Sequence, residues 1–310
     1  MKIVYFGSSQ FGVPCLESLI KGGHTVSCVV TQPDKRRGRH LILGQTRVKE
    51  FALSRSLRVY QPADLNAQES VRFLRGFSPE LFVVIAYGQL LSQEVLDIPS
   101  ILPLNVHASL LPKYRGAAPV NWALINGETK TGISVMKMVR KMDAGPVIVQ
   151  EEVAVADADD AASLQERLSQ RAPSALRQAL EKIQKNACCL KPQDDRSVTF
   201  APRLTRQDGL LRWHKGAQEL HDLVRGCIEW PGAFTHYRHA RLKIHRTCVD
   251  DPAGATAVPG EVLDITKQGI VVATGKGLLR IIRLQSEGRR VMDVAEFCAG
   301  HPVTKGDVFI

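Results

Sequence analysis

The 310-residue sequence is poor in aromatic residues, at 6%, and its seven cysteines are odd in number, scattered and without a C-x-x-C pair. Cys15, Cys28, Cys188, Cys189, Cys227, Cys248 and Cys298 therefore indicate neither a disulfide framework nor a zinc site, and read as buried or incidental thiols. No apolar run approaches the ~18 residues that suggest a membrane span. The N-terminus, MKIVYFGSSQFG, has a single Lys and a short apolar run broken by Gly7, so it lacks the long apolar region of a signal peptide. A cytoplasmic protein is expected. What is present is a globular composition, 44% hydrophobic and 23% charged, which argues against disorder. The length favours two domains over one.

The charge is the more informative quantity. Lys and Arg number 41 against 31 Asp and Glu, a net +10, which points either to a polyanionic partner or to a basic surface that serves solubility. Asp34 to Arg58 holds eight basic residues (Lys35, Arg36, Arg37, Arg39, Arg47, Lys49, Arg55, Arg58) against Asp34 and Glu50, a local excess of six. Four of the eight fall within KRRGR, whose Gly adds flexibility. A polyanion-binding loop is preferred here over a merely solvated face.

Residues 2–6, 25–31, 81–86, 102–107 and 133–138 read as strands, and 13–21, 48–56, 68–76 and 163–185 as helices. The run LFVVIA at 81–86 is uniformly apolar, as in a strand covered on both faces. This alternation predicts an α/β, doubly wound, Rossmann-like domain over residues 1–186. Residues 187–206 are polar, lack periodicity and read as a linker. In 207–310 a helix at 218–229 precedes five short strands (233–237, 241–247, 261–265, 269–274, 278–284) bounded by turn residues. A small antiparallel β-barrel domain is expected.

Three motifs bear on chemistry. Gly7-Ser8-Ser9-Gln10-Phe11-Gly12 follows the first strand but is neither G-x-G-x-x-G nor followed by Lys-Ser/Thr, so a tight turn is favoured over a phosphate loop. Asn105 and His107, two apart on a strand, share a face at its carboxyl end, where α/β sheets place ligands. Position alone equally allows an Asn that opens a turn and a His bonded locally. Met142-Asp143-Ala144-Gly145 has ordinary turn chemistry. Together, however, an amide, an imidazole and a carboxylate on adjoining loop ends supply the parts for acyl transfer to an amine.

The run Ser109-Leu110-Leu111-Pro112-x-x-Arg115-Gly116-Ala117-Ala118-Pro119, with Asn105-Val106-His107 before it and Asp143-x-Gly145 after it, resembles the folate-dependent formyltransferases, most closely the branch that acts on methionyl-tRNA. Thr31-Gln32-Pro33-Asp34, Ala86-Tyr87-Gly88, Trp213, Trp230-Pro231, Gln268-Gly269-Ile270 and Leu284-Gln285 extend the likeness over the whole chain. The resemblance implies catalysis by Asn105, His107 and Asp143, with 10-formyltetrahydrofolate contacting Ser109, Leu110, Leu111 and Pro112 and no metal. It implies an OB-like C-terminal barrel that binds tRNA, and a basic loop (Lys35, Arg36, Arg37, Arg39) that meets the acceptor stem of initiator methionyl-tRNA. A monomer without membrane association is expected.

Pro146 stands where the family often has an acidic residue, and the basic loop differs in detail. Alternative acceptors are an amino-sugar nucleotide or glycinamide ribonucleotide. The second domain weighs against glycinamide ribonucleotide, and the basic segment weighs against both. A nucleic-acid-binding module with a vestigial enzyme domain is a third reading, opposed by the intact Asn105, His107 and Asp143.

Overall fold

The computed structural model describes residues 1–37, 42–238, 240–253 and 257–310. It divides into two compact units. The first holds residues 1–116, 130–154 and 165–200, and the second holds 117–129, 155–164 and 201–310.

The first unit is built on a seven-stranded sheet. Its strands are β1 (Lys2–Gly7), β2 (Thr25–Val30), β5 (Val59–Tyr60), β6 (Leu81–Ile85), β7 (Leu102–His107), β9 (Lys130–Lys137) and β10 (Val147–Ala154); β3 (Lys35–Arg37) and β4 (Ile42–Gly44) form a separate hairpin, and β8 (Arg115–Gly116) is a two-residue strand. The order is β10-β9-β7-β6-β1-β2-β5. The five strands from β5 to β7 are parallel, whereas β9 runs antiparallel to β7 and β10 antiparallel to β9. All of β6 is buried, as its uniformly apolar sequence requires in a central parallel strand. The edge strand β10 begins apolar and then alternates, with Gln150, Glu152 and Ala154 exposed.

Helices α1 (Val13–Lys21), α2 (Arg47–Ser54), α3 (Gln68–Arg75) and α4 (Gln93–Leu96) fall between these strands. Pro14 is tolerated in α1 because first-turn N–H groups have no helical partner. Thr46 caps α2 by accepting the Lys49 N–H at 3.1 Å. The Gly7 to Gly12 turn is explained by packing: a Cβ on Gly12 would lie 2.2 Å from the Tyr5 hydroxyl, which donates to the Gly12 carbonyl at 2.8 Å. Its φ of −84° is one that any residue adopts, so close approach, not backbone freedom, demands glycine there.

Helix α5 (Pro119–Ile125) belongs to the second unit, and the long α6 (Ala161–Gln184) lies in the first from residue 165 onward. After β11 (Phe200–Ala201) come α7 (Ala217–Gly226) and a six-stranded antiparallel sheet of β12 (Ala233–Tyr237), β13 (Ala240–Asp251), β14 (Val262–Thr266), β15 (Gly269–Ala273), β16 (Leu278–Ser286) and β17 (Met292–Asp293), followed by α8 (Val294–Gly300). The main path, β12-β13-β16-β15-β14, leaves β12 and β14 as its two ends. The last residues bridge them. Ile310 exchanges both backbone hydrogen bonds with His236 of β12, at 2.8 and 2.9 Å, while Phe309 N–H reaches the Gly260 carbonyl at 2.9 Å and Asp307 accepts from Val262 at 2.8 Å. Phe309 is 1% exposed and stacks on Trp213, whose indole N–H donates to Thr235 Oγ1 at 2.9 Å. Burying one such ring contributes about 1.5–3 kcal/mol.

Among the described residues no helix is long and apolar enough to cross a membrane. All seven cysteines are free, and burial pushes the Cys28 and Cys227 thiols up to about 12, far from nucleophilic use at neutral pH.

Candidate active site

The site grows from the carboxyl end of β7. Asn105 and His107 pair with Met136 and Ser134 of β9, and Asn105 also with Val84 of β6, so the end of the strand is carried by a hydrogen-bonded ladder. Asn105 is half-buried and His107 only 6% exposed. The turn between β9 and β10 brings Asp143 to them: its Oδ1 accepts from Asn105 Nδ2 at 3.4 Å, its Oδ2 lies 3.7 Å from His107 Nδ1, and the Gly116 N–H donates to Oδ2 at 2.9 Å. The three residues singled out for chemistry thus meet in one place.

The imidazole is oriented by a residue that carries no signal in the sequence. His107 Nε2 lies 2.9 Å from the Tyr114 carbonyl oxygen. A carbonyl can only accept, so Nε2 carries the proton in the neutral ring, and Nδ1 presents a lone pair beside the Asp143 carboxylate. The tautomer is therefore selected by the Tyr114 carbonyl and not by Asp143. A carboxylate 3.7 Å from Nδ1 stabilises the ring once Nδ1 takes a proton.

Local backbone features hold this arrangement. Asp143 has φ +49°, a left-handed conformation that Asp tolerates better than most residues but at a cost of roughly 1–2 kcal/mol. Gly145 is dictated by close approach, since a Cβ there would fall 1.7 Å from the Lys137 carbonyl oxygen of β9. Gly116, at φ +130°, needs the freedom of glycine to turn its N–H onto Asp143.

The Ser109 to Pro112 run is a stiff wall. Ser109 is fully buried and donates its hydroxyl to the Lys113 carbonyl at 2.7 Å, while its own carbonyl accepts from Ser134 Oγ at 2.6 Å. Leu111, 4% exposed, donates its N–H to Ser134 Oγ at 3.1 Å, and its carbonyl accepts from Gln150 at 2.8 Å. Leu110 and Pro112 are half-buried, and the Leu111-Pro112 peptide is cis. The Ser109 carbonyl and both backbone polar groups of Leu111 are thus used inward. The half-buried Leu110 and Pro112 leave apolar surface for a ligand.

The polar stretch after α6 also contributes, although its composition is that of a linker. Tyr114 N–H donates to Thr199 Oγ1 and Arg115 N–H to the Thr199 carbonyl, both at 2.9 Å. Arg115, 3% exposed, is gripped by Gln193. No composition or spacing signal marks Tyr114, Gln193 or Thr199. Arg115 and Gly116 stand inside the RGAAP part of the motif, which by itself assigns them no task.

The basic segment is laid out differently. Lys35, Arg36 and Arg37 form β3, paired with β4 so that Lys35 lies opposite Gly44, and the Lys35 side chain is exposed. Arg39 lies outside the described residues, as do the side chains of Arg36 and Arg37. At the foot of the hairpin, Asp34 binds Lys49 at 2.6 Å and accepts from Gln61 at 2.8 Å.

A family model described as formyl transferase matches residues 1–180, and one described as formyl transferase, C-terminal domain, matches residues 203–302. The methionyl-tRNA formyltransferase of Acetivibrio thermocellus is 42% identical to this chain over 308 residues, covering 99% of each protein. That of Alkaliphilus oremlandii is 41% identical over 308 residues with the same coverage. Among solved structures, the N-formyltransferase from Helicobacter canadensis, in complex with folinic acid and dTDP-3-aminofucose, superposes with a TM-score of 0.69 over 92% of this chain and 99% of its own. At 16% identity that likeness concerns the fold.

Proposed function

The chain belongs to the formyl transferase family, and from that premise we propose that it transfers the formyl group of 10-formyltetrahydrofolate to the amino group of methionyl initiator tRNA, giving N-formylmethionyl-tRNA for translation initiation. The observation that carries the chemistry is the meeting of Asn105, His107 and Asp143 at the end of β7. The acceptor rests on relatives of that name that match the chain end to end, including the whole second domain, and on the net charge of +10.

The formyl donor is consumed at each turnover and is a substrate. The methionyl amine attacks the formyl carbon, a C–N bond forms, and the carbonyl oxygen becomes an oxyanion. Asn105 has two amide hydrogens: one is turned toward Asp143, which leaves the other to donate to that oxyanion. The amine nitrogen, now positive, gives its proton to His107 Nδ1, and the resulting imidazolium is held between the Tyr114 carbonyl and the Asp143 carboxylate. Collapse of the tetrahedral species breaks the bond to the folate nitrogen. That nitrogen takes the proton back from Nδ1, so the ring ends the cycle neutral. The stiff run Ser109 to Pro112 is the surface against which the donor would rest. A cytoplasmic monomer fits this role, since one chain holds both the reacting cluster and the basic segment.

The test offers a labelled 10-formyltetrahydrofolate donor with Met-charged initiator tRNA, Met-charged elongator tRNA, an amino-sugar nucleotide and glycinamide ribonucleotide in parallel. Efficient transfer to initiator methionyl-tRNA alone is expected. A comparable kcat/KM on a small amine would reassign the acceptor, and tight tRNA binding without transfer to any acceptor would sink the enzymatic reading.

A further inference from the structure

Gln193 uses its whole side-chain amide within the first unit. Its two N–H groups donate to the carbonyl oxygens of Asp143 at 2.8 Å and Gly145 at 2.7 Å, and its Oε1 accepts both Nε and Nη2 of Arg115, at 3.0 and 2.8 Å. The residue after Arg115 is Gly116, whose N–H holds Asp143 Oδ2 at 2.9 Å. The connections close a ring: Gln193 to the backbone of Asp143, Asp143 through its carboxylate to Gly116, Gly116 through the chain to Arg115, and Arg115 back to Gln193.

We propose that Gln193 is a positioning residue for Asp143, which it holds, through two loop carbonyls on one side and Arg115 on the other, with its carboxylate turned to His107 and Asn105. The link to catalysis rests on the reading of these three residues as the formyl-transfer site. The turn that carries Asp143 is weakly held by its own packing: Val139, Arg140, Lys141 and Met142 are all exposed, and Asp143 itself has φ +49°. A conformation of that kind persists only where its surroundings over-determine it. Glutamine is chemically suited to do so. Glutamate would keep the acceptor for Arg115 but set an anionic oxygen against two carbonyl oxygens; lysine would donate to the carbonyls but repel the guanidinium; asparagine is one methylene short. Arg115 keeps Asp195 at 3.4 Å as a second partner, so removal of Gln193 does not leave a buried cation uncompensated.

The experiment compares wild-type protein, Gln193→Glu and Gln193→Ala by two readouts. The first is hydrogen exchange of the Gly116 amide, which reports directly on whether the Asp143 carboxylate is in place. We expect it to quicken about 10-fold or more in both variants, the amides of β1 and β6 keeping their rates. The second is formyl transfer to methionyl-tRNA. We expect kcat to fall on the order of 10- to 100-fold, more in Gln193→Glu, with KM for both substrates within about 3-fold of wild type. Wild-type protection of Gly116 in Gln193→Ala overturns the proposal, as does a wild-type kcat in both variants. A KM rise at constant kcat does so too, because it would make Gln193 a binding residue. If wild-type protein transfers no formyl group, the functional reading falls, and Gly116 exchange alone then decides the clamp.

Discussion

Asp143 and Lys35 lie in the same compact unit and are held in opposite ways. The Asp143 carboxylate is 13% exposed, meets Asn105, His107 and Gly116, and rides on a turn whose carbonyls are gripped by Gln193. Lys35 is exposed on a hairpin of two three-residue strands, fastened at its foot by Asp34. Bond making and breaking requires reacting atoms placed to within a fraction of an ångström. Attraction to a phosphate backbone acts over several ångströms and tolerates motion. The two regions should therefore respond to mutation in separable ways: one through kcat, the other through acceptor affinity and its salt dependence.

The largest effects are expected at the fixed region. Asn105→Ala removes the proposed oxyanion donor and should lower kcat about 10²- to 10³-fold. His107→Ala removes the proposed proton acceptor and should cost roughly 10²- to 10⁴-fold. Asp143→Asn keeps the shape but not the charge beside Nδ1, so the imidazolium loses its counter-charge and kcat should fall on the order of 10²-fold. Equilibrium binding of methionyl-tRNA should be unchanged in all three. A variant that keeps wild-type turnover leaves the mechanism, and one that binds tRNA more weakly erases the distinction between the regions.

A smaller effect is expected at the hairpin. Changing Lys35, Arg36, Arg37 and Arg39 together to Gln should raise the KM for methionyl-tRNA on the order of 10-fold at physiological salt and flatten the dependence of binding on salt, by nearly one unit of slope for each phosphate that is no longer neutralised. The kcat at saturating tRNA should remain within about 3-fold of wild type. Unchanged affinity would return the basic charge to a solubility role.

This difference also explains what the sequence could and could not reveal. Strands β7 and β12 and helix α1 have the bounds read from the sequence, because residue type and spacing report local geometry. Asn105 and His107 could be paired from their spacing for the same reason. Strand β10 is hard to recognise because neither pattern runs through it: Val147, Ile148 and Val149 make too short an apolar run, and the alternation sets in only at Gln150. The barrel could be anticipated from β12 to β16, but not its closure by 306–310, since that segment has no pattern of its own and is fixed by Phe309 entering the core. Gln193 and Tyr114 are invisible in the sequence: one acts through a side-chain amide in a polar stretch, the other through a backbone carbonyl that every residue has. Bonds made by folding at a separation of about fifty residues, as between Gln193 and Asp143, leave no local trace.

The smallest effect, and the finest division of the comparison, lies at the hairpin foot. The eight basic residues between 34 and 58 carry a local excess of six, but they are not equivalent. The two acidic residues of the segment are bound to two of them: Glu50 to Arg47 at 2.8 Å and Asp34 to Lys49 at 2.6 Å. The second pair is well shielded, with side chains only 15% and 18% exposed, so Lys49 is held by a protein carboxylate and is poorly placed to displace counterions from a nucleic acid. Its task is mechanical. It ties the base of the hairpin to α2, whose first turn is fixed by Thr46, and Thr46 is bonded at 2.6 Å to the buried hydroxyl of Thr31 at the end of β2. Lys49→Gln should therefore loosen the hairpin while leaving the exposed Lys35 in place, the charge of the Asp34 carboxylate no longer being balanced by Lys49. The KM for methionyl-tRNA should rise about 2- to 4-fold, because disorder in the free hairpin must be removed on binding. The slope of affinity against salt should stay at the wild-type value. Lys35→Gln should do the reverse, flattening the slope with the hairpin still anchored. If Lys49→Gln flattens the slope as Lys35→Gln does, the ion pair with Asp34 opens on binding and Lys49 belongs with the tRNA-contacting residues; if it alters neither quantity, the foot has no part in acceptor binding.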